Sequence, residues 1–239
     1  LKRQELSMFN IMYADKYDTI FYINNGLIPE RKNIPGVNWK STVPGNTEST
    51  RWTTFRPTEA LVQYINPSGG FLFNVNHSPF LAAHPADNKK VNSYPFTDGW
   101  ETWHNNRSKR VYELMPLDKQ ISYEQLKAIK FDKQYPSIFA FPKNIDSLWL
   151  LKPAEHPELS DIITTLQQWD KRAVPESKGA AIFHLLYRQL QSQPFEVLTR
   201  AKAIESLEAV KAYQLKYFSR TGITLGELQQ LVRGDIKAP

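Results

Sequence analysis

The chain has 239 residues, 41% of them hydrophobic and 23% charged. That composition allows one large domain or two small ones, and excludes wholesale disorder and collagen-like repetition. There is no cysteine, which removes disulfides, thiolate zinc sites and a cysteine nucleophile from these residues.

Net charge is +6, from 30 Lys and Arg against 24 Asp and Glu, with a pI of about 9.3. A nucleic-acid footprint needs its basic residues on one face. Here they are scattered among acids, so nucleic acid is not the expected partner. No apolar run approaches the roughly 18 residues of a membrane span, and no signal-peptide pattern opens the chain. The first residue is Leu1, so the sequence reads as a processed or excised piece. Sixteen prolines, six tryptophans and eleven tyrosines predict long ordered loops and a large aromatic surface or core.

In chain order, Ser7–Ala14 and Thr19–Asn24 are aromatic and β-branched runs split by Asp15-Lys16-Tyr17-Asp18, the pattern of a hairpin. Asn25-Gly26 turns the chain. From Pro29 to Pro67 no period is sustained, which predicts a long ordered loop, a class often tied to function. Asn66-Pro67-Ser68-Gly69-Gly70 is a tight turn. Phe71–Val75 reads as a short strand, and Ser78–Asn106 as a second loop rich in His, Asn and Pro.

The C-terminal half reads as helical. Ser122-Tyr123-Glu124-Gln125 fits a capping box opening a helix to about Lys130. Residues 157 to about 172 place Ile162, Ile163, Leu166 and Trp169 at helical spacing. A further helix is expected over 178–193, with Ile182, Leu185, Leu186 and Leu190 on one face. A long one is expected over 195–219, closed by Gly222 as its C-cap. Thr224 would cap a last helix over 225–232.

None of the five histidines forms a His-x-x-x-His pair, and no Walker loop, dinucleotide fingerprint or Gly-x-Ser-x-Gly elbow occurs. His184 reads as a core residue. His77 reads equally as a site-lining or a surface residue. Ser78 precedes Pro79 and has no evident base. The most informative stretch is Asn66–Pro79, where a turn and strand end in Asn74-Val75-Asn76. A carboxamide NH2 is a neutral donor able to hold a developing oxyanion. Locally, the favoured reading is that Asn74 and Asn76 satisfy loop backbone groups.

Taken together, several segments resemble the penicillin acylase family of N-terminal-nucleophile amidohydrolases. They are Phe9-Asn10-Ile11-Met12-Tyr13-Ala14-Asp15, Ile20-Phe21-Tyr22, Gly26-Leu27-Ile28-Pro29-Glu30-Arg31 and Val43-Pro44-Gly45. The stretch from Asn66-Pro67-Ser68-Gly69-Gly70 through Asn74-Val75-Asn76-His77-Ser78-Pro79 follows, then Leu166-Gln167-Gln168-Trp169-Asp170. Their order and spacing run from residue 1 to about 190, and the last ~50 residues match poorly.

The resemblance implies an α+β fragment of an αββα N-terminal-nucleophile hydrolase. Residues 1–115 would be the strand- and loop-rich part of its core, and residues 116–239 a mostly helical region. Strands at 7–14, 19–24 and 71–75 would share one layer. It also implies a precursor that cleaves itself to expose a Ser, whose hydroxyl attacks an amide while its own α-amino group, with a pKa near 8, serves as base. In the family the oxyanion is held by a backbone N–H and an Asn side chain, and an Arg positions that Asn.

Carried over by residue, Asn76 matches the oxyanion-hole Asn and Arg107, in Asn106-Arg107-Ser108, the positioning Arg, with Arg110 a competitor. Phe9 matches a position lining the acyl pocket, though it reads equally as core. Asp87 falls near a calcium-ligating Asp of some members, so a structural calcium in the parent is raised, while no other cofactor is expected. Leu1 and Lys2 cannot be the nucleophile, so the 239 residues alone are expected to be inactive. The implied partners are an acyl-amide substrate and the rest of the large and small subunits of the same precursor, and the implied location is the periplasm or beyond.

Two other readings fit the same residues. One is a binding or scaffold protein that kept the fold without the nucleophile. The other is an independent helical interaction domain, for which limited proteolysis near residue 116 would give two stable halves. Acyl-group specificity is not legible.

Overall fold

The computed structural model describes residues 3–6, 8–117, 120–140, 145–190 and 197–239. They fall into two compact units, Leu1–Ser108 with Met115–Ile121, and Lys109–Leu114 with Ser122–Pro239. The mixture of small sheets and helices is α+β.

The first unit is built on the expected hairpin. Strands β1 (Phe9–Ala14) and β2 (Ile20–Asn25) pair antiparallel, from Phe9 opposite Asn25 to Ala14 opposite Ile20. The turn closes because Asp15 Oδ1 accepts the Tyr17 and Thr19 N–H groups at 2.8 and 3.1 Å. A third strand, β3 (Gln63–Ile65), pairs antiparallel with the other side of β2, inside the stretch expected to be loop. Alternation then covers both faces of β2. Tyr22 packs with Val62, Tyr64, Phe80, Ala82 and Ala83 on one, and Ile23 with Ile28 and Leu61 on the other.

The remainder of the 29–67 stretch is ordered loop, pinned by two arginines. The Arg56 guanidinium pairs with the buried Asp98 at 3.1 Å. Arg31 Nη1 donates to the Thr97 and Asp98 carbonyls.

The strand expected over 71–75 does not form. There is one antiparallel bridge, Leu72 with Ala83, in which Phe73 N–H donates to Ala82 C=O at 2.9 Å. The segment folds back on 82–83 instead of joining the sheet, and Asn76, at φ 52°, ends its extension. Asn and Asp enter the left-handed region more readily than other side chains.

Helix α1 (Asn106–Leu114) lies where loop was expected, its first three residues in the first unit and the rest in the second. The second unit follows with α2 (Tyr123–Lys130), which opens with the full capping box of Ser122 and Gln125. Next come α3 (Asp146–Trp149), α4 (Ser160–Gln167), α5 (Lys178–Leu190), α6 (Arg200–Phe218) and α7 (Leu225–Leu228). The expected ends of α5 beyond residue 190 and of α6 before 197 lie outside the described residues. Helix α4 is shorter than its periodicity. The chain turns at Trp169-Asp170-Lys171, where Asp170 Oδ1 accepts the Arg172 N–H and Lys171 adopts φ 63°.

Helix α6 is capped by Ser219 at φ 58°, not by Gly222. The Gly222 N–H instead donates to the side chain of the buried Gln214, turning the chain towards α7. The last expected helix is cut short at Leu228, and a hairpin of β4 (Leu231–Arg233) and β5 (Ile236–Ala238) ends the chain.

The core of this unit surrounds Phe183 on α5, with Leu148, Leu159, Ile162, Ile163, Leu166, Ile182, Leu186, Leu207 and Val210. Gly179 marks a close approach. A Cβ there would lie 2.3 Å from Trp169 Cβ and 2.5 Å from its Cγ. Helix propensity alone gives Gly179→Ala a gain of about 1 kcal/mol. Against it stands the overpacking cost of about 1–3 kcal/mol, because the clash is with the rigid base of an indole. The expected result is a lower urea midpoint for Gly179→Ala. A raised midpoint would show that α5 shifts freely.

The start of the unit is tied by charge. Arg110 on α1 donates to both carboxylate oxygens of Asp132, at 2.9 and 3.1 Å, and to Glu113 at 3.1 Å. Hydrogen bonding to Arg110 holds the Asp132 carboxyl below its ordinary pKa. Such a group stabilises the fold above its unfolded pKa, and that contribution is lost as pH falls through the folded value. Denaturant midpoints are therefore expected to fall below about pH 4, and to fall less steeply in Asp132→Asn.

Candidate active site

The Asn66–Pro79 stretch is held from its first turn. Asp87 Oδ1 accepts the Ser68 N–H and hydroxyl at 3.0 and 2.6 Å, and Oδ2 the Gly69 N–H at 2.8 Å. These bonds, the Ser68 hydroxyl foremost, hold the Asp87 carboxyl below its usual pKa. Position 69 must be glycine because a Cβ would fall 2.2 Å from His84 Cβ.

His77 is buried and takes neither expected role. Its ring stacks on Phe73 with centroids 4.6 Å apart. Nδ1 accepts the Val75 N–H at 3.3 Å, so Nε2 carries the proton and donates to Leu81 C=O at 2.8 Å. Burial, ahead of the charges of His104 and Arg107, lowers its pKa. It is a neutral brace with both nitrogens spent. Ser78 is likewise buried, its hydroxyl donating to Glu101 C=O at 2.6 Å and accepting the Phe80 N–H. His184 is only partly buried on α5 and lies 3.1 Å from Gln229 Nε2 through its own Nε2.

The two asparagines separate. Asn74 satisfies the loop, its Oδ1 accepting the Asn76 N–H at 3.0 Å and the Asn10 amide at 3.1 Å. Asn10 in turn accepts the Tyr22 hydroxyl at 2.9 Å and the Asn24 amide at 2.6 Å, linking the loop to the sheet. Asn76 is exposed, and among the described residues its carboxamide has no hydrogen-bond partner. Its backbone is fully engaged, because Asn105 Nδ2 donates to the Val75 and Asn76 carbonyls at 3.0 and 2.9 Å.

The arginines separate in the same way. Arg110 is spent on Asp132 and Glu113. Arg107, in the first turn of α1, is exposed, and no carboxylate pairs with it among the described residues. Phe9 stands 62% exposed on β1, an outer strand of the three-stranded sheet, and belongs to none of the cores among the described residues. No three His, Asp or Glu side chains gather in metal-holding geometry among the described residues. Asp87's charge is already engaged by its turn.

Asn105 and Asn10 were not singled out by sequence. Asn105 had a signal only in that Asn is a favoured helix N-cap residue. The role of Asn10 depends on a contact 64 residues away and had none.

The model of the family described as penicillin amidase matches residues 1–229, well past the point where the motif resemblance fades. The chain belongs to that family. It is also similar to penicillin acylase 2 proenzyme of Pseudomonas sp. (strain SE83), at 24% identity over 181 residues, covering 76% of this chain and 21% of that protein. The chain thus spans about a fifth of the length of the curated relative it matches. No helix among the described residues is long and apolar enough to cross a membrane.

Proposed function

We propose that this chain is part of the large subunit of an N-terminal-nucleophile amidohydrolase that cleaves an acyl amide. Asn76 supplies the side-chain donor of its oxyanion hole. One observation carries the reading. In a loop where neighbouring polar groups are spent on structure, the Asn76 carboxamide is exposed and uncommitted while its own backbone is clamped. A donor that needs no reorganisation when charge develops is what oxyanion stabilisation requires.

Arg107 is the cation that organises the site, because Arg110 is held by two carboxylates. Phe9, exposed on β1, lines the acyl pocket once the surrounding chain is present. The Ser nucleophile, the backbone oxyanion donor and most of the pocket come from chain outside these residues. The 239 residues alone are then inactive. The two-sheet αββα core, the self-cleaving precursor and export to the periplasm or beyond belong to the same reading. The relative's printed description as a proenzyme supports a precursor.

The test is on the full-length gene product, by intact mass and N-terminal sequencing of its large chain. Cleavage exposing Ser, with hydrolysis of acyl 4-nitroanilides, supports the reading. An uncleaved chain lacking Ser, Thr or Cys at the junction would favour a non-catalytic scaffold.

A further inference from the structure

The geometry points to Asn105 as a positioning residue that aims the Asn76 carboxamide and locks it to the helix carrying Arg107. This inference rests on the reading of Asn76 as the oxyanion donor. Asn105 uses both ends of its side chain. Its Nδ2 donates to Val75 C=O at 3.0 Å and to Asn76 C=O at 2.9 Å. Its Oδ1 accepts the Ser108 N–H at 2.8 Å, and its own N–H donates to Ser108 Oγ at 3.1 Å. The second pair of bonds is the N-cap of α1, whose first turn contains Arg107.

The consequence for Asn76 is geometric. Its N–H is held by Asn74 Oδ1, and the carbonyls before and after its Cα are held by Asn105. Both peptide planes flanking Asn76 are therefore fixed, at a left-handed φ of 52° that the chain must hold against a cost. The direction of the Cα–Cβ bond follows from those planes, and only two side-chain torsions remain to place the donor. Asn105 touches no reacting atom. It acts through Asn76, and through the shared cap it keeps the Asn76 turn and the Arg107 turn in one frame.

The experiment separates the cap from the clamp. Serine caps a helix about as well as asparagine, but a hydroxyl on a shorter side chain cannot serve both distant carbonyls. In the full-length enzyme, Asn105→Ser is expected to lower kcat on phenylacetyl or fatty-acyl 4-nitroanilide about 10- to 100-fold. KM and precursor processing stay near wild type, and the melting temperature falls only modestly for the two lost hydrogen bonds. In an Asn76→Ala background the same change is expected to lower kcat by no more than about twofold further, because two residues acting through one group are not additive. If Asn105→Ser fails to mature, Asn105→Asp carries the test. It keeps the cap acceptor and loses both donors.

Wild-type kcat in the Asn105 variant, with Asn76→Ala impaired, would overturn the positioning role and leave the function standing. So would an undiminished penalty in the double variant. An unimpaired Asn76→Ala would overturn both.

Discussion

Replacing Asn76 by alanine in the full-length protein is expected to lower kcat on acyl 4-nitroanilides by about 10²–10³, or roughly 3–4 kcal/mol of transition-state stabilisation. KM should change little, because the lost hydrogen bond forms mainly as the carbonyl oxygen gains charge. Folding should survive, since the carboxamide is exposed and has no hydrogen-bond partner among the described residues. Asn74→Ala is the informative contrast. It removes a group that accepts the Asn76 N–H and the Asn10 amide, so it should cost stability along with turnover. If the two variants were equally stable and equally slow, the division of labour between the asparagines would be wrong.

The second large effect is expected at Phe183. It is fully buried on α5 and meets four aromatic rings, with centroids 5.2 Å from Tyr135, 4.8 Å from Phe139, 5.0 Å from Trp169 and 6.3 Å from Tyr187. Phe183→Ala removes a ring that these neighbours cannot collapse to replace, and should destabilise by about 3–5 kcal/mol in urea denaturation. Leu231→Ala, on the exposed C-terminal hairpin, should stay within about 0.5 kcal/mol. Comparable losses at both positions would show that the helical unit is not organised around Phe183.

These two sites differ in how legible they were. Phe183 lies in a helix whose periodicity is plain, and Trp169 lies in the turn just beyond another. Ser122 and Gln125 announced α2 because a capping box is complete within four residues. The β1–β2 hairpin was likewise local. What was not legible depends on partners far along the chain. Strand β3 has three residues and exists because Tyr64 lies opposite Tyr22, which no window around Gln63 reveals. The apolar run at Phe71–Val75 has strand composition, yet its bridging partner is Ala83 and Asn76 turns it away. Helix α1 hid behind a polar opening, Asn106-Arg107-Ser108-Lys109-Arg110, which holds no apolar residue and so lacks the apolar period that marks most helices.

The candidate site follows the same division. Asn76 and Arg107 were expected from sequence because the motif and its order in the chain point to them. The motif alone preferred Asn76 to Asn74, but that Asn74 is spent on the loop needed its hydrogen bonds, and setting Arg110 aside needed Asp132, 22 residues away. His77 drew attention beside Asn76, and only the packing of Phe73 with the Val75 and Leu81 backbone shows it to be structural.

The central claim is that the Asn76 carboxamide holds negative charge that exists only in the tetrahedral state. The most direct measurement compares two inhibition constants in full-length wild type and Asn76→Ala. One is for the boronic acid matching the best acyl substrate, which becomes tetrahedral and anionic on the nucleophile. The other is for the planar product acid. The account predicts that Asn76→Ala loses about 10²–10³ in affinity for the boronate and little for the product acid. Equal losses for both ligands, or none for either, would contradict it.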